Sequence, residues 1–241
     1  MSPQPHRSSQ KLITAKVIKM QSIALPHREI FPLLVRALQR ERLLRYLPAS
    51  SEDERLAFSI YLWNGALCEA FYCVIHFAEI VCRNALHDRL LERVGERWFE
   101  NATFLGILDD RYRRDLIKVT DEERRLRGAA FTAHHVVARL TLGFWEHLLT
   151  KRFKRLLWSE GVHPCFPHAP SRMKIVDLSH RVAAVRRLRN RIAHHEAIFD
   201  KKPMKTHQEA IELISWVCSG SGSWVASVSK VPAVIARRPK A

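Results

Sequence analysis

Apolar residues recur along this chain at the three- and four-residue spacing of amphipathic helices, and no clear succession of alternating strand segments is present. The sequence therefore predicts an all-α protein, a helical bundle with one main domain. Ser51 and Glu54 have the spacing of a capping box, at the start of a long apolar helix that runs toward Gly95. The other helices are expected at about 28–46, 110–127, 132–158, 172–197 and 205–217, with a Pro- and His-rich loop at 159–171.

The two ends of the chain differ in composition from this helical part. Residues 1–27 are polar and basic, so we expect an N-terminal extension, within which Met20 is an alternative start. The helical domain is expected to span residues 28–217. Residues 218–241 are rich in Ser, Gly, Pro, Val and basic residues, which predicts a loosely held basic tail, of which 231–235 could dock as a short strand.

The helix predicted at 172–197 carries the most informative polar residues. Its core-facing side is marked by Val185, Leu188, Ile192 and Phe199. His195 lies seven residues after Leu188 on the same side, which predicts a structural role for this histidine. Arg186, Asn190 and His194 follow one another at four-residue spacing on the opposite side, so Asn190 can hydrogen-bond or orient His194.

Arg189, Asn190 and His194 are the groups that a metal-free ribonuclease needs. An imidazole can accept or donate a proton near neutral pH, while a guanidinium stays charged and fits phosphate oxygens. RNA supplies the nucleophile, its 2′-hydroxyl, whose attack on phosphorus places charge on the phosphoryl oxygens. Arg189 and His194 lie about 140° apart on an ideal helix and cannot converge on one phosphate. Either the helix is distorted or two chains share the site.

The R-N-x-x-x-H spacing resembles the signature of HEPN-domain ribonucleases, and the string LRNRIAHHEAIF is similar to that of the Abi-like (AbiD/AbiF-type) abortive-infection proteins of bacteria. Other segments resemble that family in the same order: Trp63-Asn64, 78–86, Gly95, Trp98-Phe99, Leu142-Gly143-Phe144-Trp145 and Leu157-Trp158. The resemblance covers residues 28–217. It implies a HEPN-like helical fold that dimerises through the motif helices, with Arg189 and His194 of both chains forming one RNA-cleaving cleft.

Five further polar residues are expected to support the site. Glu79 and Arg83 lie one turn apart in apolar surroundings, and Asn84 follows. One interpretation is an ion pair that satisfies two partly buried charges. The other, which the resemblance favours because a Glu and an Arg-Asn recur at these positions in the family, is that they brace the motif helix. Arg186 and Arg191 add positive charge to that helix.

The charge of the chain agrees with an RNA partner. Forty Lys and Arg against 24 Asp and Glu give a formal net charge of +16, which favours polyanions. A solvated basic surface and attraction to anionic lipid are the alternatives. The five cysteines include no C-x-x-C pair, and no secretory or membrane-spanning run is evident, so we expect a cytoplasmic protein without integral membrane association.

Other chemistries find little support. His163, Cys165 and His168 are possible zinc ligands but lack an evident fourth ligand, so no metal and no other cofactor is expected. Phe144, Trp145 and Trp158 are interpreted as core residues, not as base-stacking platforms. The chain has no P-loop, no G-x-G-x-x-G and no H-E-x-x-H, which argues against nucleotide hydrolysis, dinucleotide redox chemistry and zincin-type proteolysis.

The sequence thus predicts a homodimeric, metal-independent RNA endonuclease of bacterial antiphage defence, toxin-like, with Arg189, Asn190 and His194 as the catalytic residues. A catalytically inactive HEPN-like module that binds RNA, a nucleotide or a partner protein is the main alternative, because the motif alone cannot separate the two. A peripheral membrane protein is the third. The RNA target and any antitoxin are not specified by the sequence.

Overall fold

The computed structural model describes residues 27–240, and within this range the chain is helical without a β-strand. The N-terminal extension expected at 1–27, including Met20, lies almost wholly outside the described residues. The all-α prediction is confirmed. The helices are α1 (Phe31–Leu38), α2 (Arg40–Leu44), α3 (Glu54–Val94), α4 (Ala102–Ile107), α5 (Asp110–Arg127), α6 (Ala133–Arg139), α7 (Leu142–His147), α8 (Ile175–Ala193), α9 (Pro203–Val217), α10 (Ser219–Val228) and α11 (Val231–Ala236).

The 41-residue helix α3 is the axis of the bundle, and α2, α7, α8, α9, α10 and α11 all pack against it. Its first turn is capped by Asp53, whose carboxylate accepts hydrogen bonds from the backbone N–H groups of Arg55 and Leu56. The expected Ser51–Glu54 capping box is therefore wrong by two residues, since Ser51 has a left-handed backbone with φ 52°. At the other end Gly95 has φ 100°, a conformation that glycine adopts without strain.

α3 is long and apolar enough to cross a membrane, but the core helix of a soluble bundle can have the same length and composition. Only 39% of the residues in its most apolar 18-residue window are buried within the protein. The rest of that window lies on an exposed or half-exposed face of α3. This face, hereafter the α3 face, consists of Tyr72, Cys73, His76, Phe77 and Ile80.

Two of the predicted helices are broken in the structure. The first splits into α1 and α2 at Gln39, which has φ 63°. The helix expected at 132–158 becomes α6, α7 and a 3₁₀ turn at Lys151–Phe153, because Leu140 and Thr141 are extended. Apolar residues occupy every side of this segment, so a single straight helix would leave some exposed. The breaks allow nearly all of them to be buried.

An aromatic cluster forms the centre of the core. The ring centroid of Trp98 lies 5.7 Å from that of Phe104, 6.3 Å from Phe144 and 6.1 Å from Trp145. Together with Trp158, these residues are at most 4% exposed. Phe144, Trp145 and Trp158 are therefore core residues, as predicted. Burial of each large apolar side chain contributes roughly 1.5–3 kcal/mol to folding.

The segment expected to be a loose tail is part of the fold. Residues 219–236 form α10 and α11, and Val225, Val231 and Val234 are buried. The indole N–H of Trp63 on α3 donates to the carbonyl of Val234 at 2.7 Å. The domain boundary at 217 and the short strand at 231–235 are therefore wrong. The sparse valines of this segment supply enough apolar surface to dock two short helices, which its Ser- and Gly-rich composition obscured.

Candidate functional site

The motif helix α8 ends in a tight turn that displays its two histidines. α8 is regular to Ala193, and His194 is its C-cap, with its backbone N–H donating to the carbonyl of Asn190 at 2.9 Å. His195 then takes a left-handed conformation with φ 55°. Both side chains are exposed. The prediction that His195 lies on the core-facing side is wrong, because the helix stops before this residue and the helical spacing no longer applies.

The residues after the turn are held in place by hydrogen bonds. The carboxamide oxygen of Asn64, buried on α3, accepts from the backbone N–H groups of Ile198 and Phe199 at 2.8 and 3.1 Å. Arg191 donates to the carbonyl of Ala197 at 2.9 Å and pairs with Glu196 at 3.0 Å. Arg191 therefore closes the turn with its own chain, which is a supporting role, and a part in substrate binding stays a prediction.

Arg189 lies on the surface of α8, and its guanidinium forms only long, weak contacts. Its Nη1 donates to Oδ1 of Asn190 at 3.4 Å, and its Nε lies 3.9 Å from Oε2 of Glu79 on α3. Exposed pairs at such distances contribute little stability, so the guanidinium is available to another anion. The side chain of Asn190 thus contacts Arg189 and not His194. No hydrogen bond joins Arg189 to His194 within residues 27–240.

A cavity of about 240 Å³ lies on one side of Arg189, between α5, α7 and α8. Three guanidinium groups line it, and we call it the arginine cavity: Arg111, Arg186 and Arg189. Arg186 also binds the carboxylate of Glu146 on α7, and this hydrogen bonding raises the pKa of the guanidinium further. Arg186 is therefore held in place by the protein, with its charge paired to Glu146. Such a lining favours a phosphate group.

A second cavity, of about 250 Å³, lies on the other side of Arg189, between α8 and α3. Tyr72, His76 and Glu79 line its α3 wall, and we call it the tyrosine cavity. The rings of Tyr72 and His76 are stacked with an interplanar angle of 12° and a centroid distance of 6.3 Å. Arg189 is thus shared by a cationic cavity and one that offers aromatic rings.

The supporting residues predicted on α3 do not act as one group. Glu79 faces Arg189, and it forms no ion pair with Arg83 in the described part of the chain. The Nε of Arg83 is buried without a hydrogen-bond partner among the described residues. Asn84 is exposed and lines a different groove, beside the 164–167 loop. Of the three, Glu79 is the residue that reaches the motif helix.

Sequence reasoning missed Tyr72, His76 and Arg111. Tyr72, His76, Glu79 and Arg83 follow one another at spacings of four, three and four residues along α3. This pattern marks one helix face and was available in the sequence. The position of Arg111 was not, because the arginine cavity forms only where α5 meets α7 and α8.

The loop that was weighed as a zinc site has a different arrangement. Cys165 is buried, and the Nε2 of His163 lies 3.2 Å from the carbonyl oxygen of Pro170. Across residues 27–240, no group of three or more His, Cys, Asp and Glu side chains is placed to hold a metal ion.

Comparison of the chain with protein-family models, with curated proteins and with solved structures found no match. The described geometry places three arginines around one cavity, aromatic rings in the tyrosine cavity, and an exposed imidazole, His194, five residues after Arg189.

Proposed function

We propose that this protein is a metal-independent RNA endonuclease that works as a homodimer. The observation that carries the proposal is the position of Arg189. Its weakly paired guanidinium lies between the arginine cavity and the tyrosine cavity, on the helix that ends in His194. Phosphate and base are the two parts of RNA that such neighbours bind. The resemblance of the motif to HEPN ribonucleases supports the same function.

The proposed reaction is a transesterification within RNA. His194 removes the proton of the 2′-hydroxyl, the 2′-oxygen forms a bond to phosphorus, and the bond to the 5′-oxygen breaks. Arg189 stabilises the negative charge that develops on the phosphoryl oxygens, and Asn190 orients Arg189. The imidazolium of His194 then returns this proton to the departing 5′-oxygen. The products carry a 2′,3′-cyclic phosphate and a 5′-hydroxyl, and no metal ion takes part.

The need for a second chain follows from the regularity of α8. Because the helix is regular to Ala193, Arg189 and His194 keep their separation of about 140° around its axis. The α3 face, whose Tyr72 and His76 also line the tyrosine cavity, provides aromatic and apolar surface for a partner. Trp224 of α10 extends this surface: it is 54% exposed, and its ring centroid lies 5.4 Å from that of Phe77. A second copy seated there would bring its own motif helix to the cleft.

Subunit mixing tests the reaction and the shared site together. Arg189→Ala and His194→Ala should each abolish cleavage of total RNA. An equimolar mixture of the two variants, after exchange of subunits, should regain part of the activity. Each heterodimer then has the Arg189 of one chain and the His194 of the other at the cleft. His195→Gly is the matched control, and it should remain active because the exposed side chain of His195 contributes to neither cavity. A mixture that stays inactive would contradict the shared site.

The interface is tested separately by sedimentation. Trp224→Glu should yield monomers and lose cleavage, because a buried carboxylate opposes association. Leu126→Glu, at a 68% exposed leucine of α5, should leave the dimer intact. An active monomer, wild-type or variant, would refute the dimeric model.

Chemistry distinguishes the proposal from an inactive binding module and from metal-dependent cleavage. Cleavage should persist in EDTA and should fail on DNA and on RNA with a 2′-O-methyl group at the scissile nucleotide. Binding of RNA without cleavage would favour the inactive module. In a bacterial host the proposed role is antiphage defence in the cytoplasm, and expression should arrest growth in a manner that depends on His194.

A further inference from the structure

The tyrosine cavity contains one carboxylate in a lining that is otherwise aromatic or apolar, apart from Arg189. Tyr72, His76 and Glu79 form its α3 wall, and its volume is about 250 Å³. The rest of the lining is apolar and comes from α3 and α8: Ile75, Ile192 and Ala193. Such a lining suits a flat ligand whose orientation is fixed by hydrogen bonds to one charged group.

The carboxylate of Glu79 has no hydrogen-bond donor within residues 27–240. Its side chain is only 23% exposed, and the Nε of Arg189 lies 3.9 Å from its Oε2, which is beyond hydrogen-bond distance. A carboxylate that is largely covered by protein normally accepts hydrogen bonds from it. Its oxygens therefore indicate a ligand that brings N–H groups into the cavity.

The aromatic residues of the same wall are open. Tyr72 is 70% exposed and His76 is also exposed. Their rings are within 12° of parallel, and they precede Glu79 along one edge of α3 at spacings of four and three residues. A planar ring that enters the cavity can thus lie against these rings with its edge toward the carboxylate.

A dimer partner does not have to cover this edge of α3. Phe77, which contacts Trp224 of α10, lies five residues after Tyr72, or about 140° around the helix. A partner centred on Phe77 and Trp224 therefore leaves the α8 side of Tyr72 open to RNA.

We infer that the tyrosine cavity recognises guanine, as the base beside the scissile phosphate, an inference that rests on the proposed ribonuclease function. Guanine presents two adjacent donors, N1–H and N2–H, and the two oxygens of one carboxylate can accept both. Adenine and cytosine each present an amino group with an acceptor beside it. Uracil presents one N–H between two acceptors, which a carboxylate repels. Glu79 thus selects guanine, and Tyr72 and His76 support its face.

Cleavage of a random-sequence RNA tests the selection directly. Sequencing of the ends should show guanosine at one fixed position beside the cut. Inosine at that position lacks the N2 amino group and should lower kcat/KM by about tenfold. The analogue 7-deazaguanosine keeps both donors and should be cleaved as fast as guanosine. Cleavage without preference for guanosine would overturn the inference and leave the proposed function intact.

Binding without cleavage keeps the two proposals separate. Isothermal titration of the His194→Ala protein should show that GMP binds about tenfold more tightly than AMP, CMP and UMP. Glu79→Gln should remove this preference, because the amide replaces one acceptor by a donor, and it should leave the melting temperature unchanged. Glu69→Gln is the matched control, at an exposed position of α3 that does not line the cavity.

The outcomes of these titrations separate the two proposals. Equal affinity for the four nucleotides, or a preference for GMP that survives Glu79→Gln, would overturn the inference. Selective binding of GMP that depends on Glu79, in a protein whose wild type cleaves no RNA, would support the inference and overturn the proposed function.

Discussion

The segment that follows the His194 turn is held to α3 by one buried side chain, Asn64. Its carboxamide oxygen accepts two hydrogen bonds, from the N–H groups of Ile198 and Phe199 at 2.8 and 3.1 Å. Asn64→Ala removes the acceptor and leaves both N–H groups buried and unpaired. Each such group costs about 1–3 kcal/mol, so the free energy of unfolding should fall by roughly 2–6 kcal/mol. This is a large part of the 5–15 kcal/mol typical of whole domains.

Urea unfolding followed by circular dichroism measures this loss. The m-value, which is the slope of the free energy of unfolding against urea concentration, should be unchanged. Asn64→Asp keeps an oxygen acceptor, so its loss of stability should be less than half of that in Asn64→Ala. Asn84→Ala is the matched control, an exposed asparagine on the same helix, and it should change stability by less than about 0.5 kcal/mol. The reasoning is refuted if Asn64→Ala is as stable as the wild type or no less stable than Asn84→Ala.

Two further predictions concern the C-terminal helices. A Cβ at Gly222 would lie 2.9 Å from the Cα of Ser215, so Gly222→Ala should destabilise the protein by about 1–3 kcal/mol in thermal unfolding, whereas Gly220→Ala, with open space around it, should not. Burial lowers the pKa of His207 below its ordinary 6.5, so the folded chain binds fewer protons than the unfolded chain and stability falls as the pH drops below about 6.5. His207→Gln, which can keep the hydrogen bond to Ser229, should flatten this fall in urea titrations at several pH values, and an unchanged slope would contradict the assignment.

The presence and approximate bounds of a helix were predictable wherever one face of the segment is apolar. α5 was predicted at its observed bounds, and α8 and α9 were predicted within a few residues of theirs. The segment at 132–158 is apolar on all sides, so periodicity could not show where tertiary packing breaks it. The predicted N-cap of α3 was wrong for a similar reason. Ser51 and Asp53 are both good N-caps, and only the packed structure selects Asp53.

The sequence names the candidate site residues, but it does not give the groups that they contact in the fold. Arg189, Asn190 and His194 come from one short string, and spacing correctly separates Arg189 from His194 on the helix. Spacing failed at His195, because it assumes that the helix continues, and the turn after Ala193 rotates the next residues away from the core stripe. Partners far along the sequence, such as Arg111, require the fold to be known.

The basic and polar residues around α8 divide into two groups by how their hydrogen bonds are used, and this division supports a site for an external anion. Arg186, Arg191 and Asn64 are bound to groups of the same chain, and they fix the helix and its turn. Arg189 and Arg111 reach carboxylates only at 3.9 and 4.0 Å. Their loose pairing leaves donors for phosphate, beside a helix end whose rigid turn keeps His194 in a constant position.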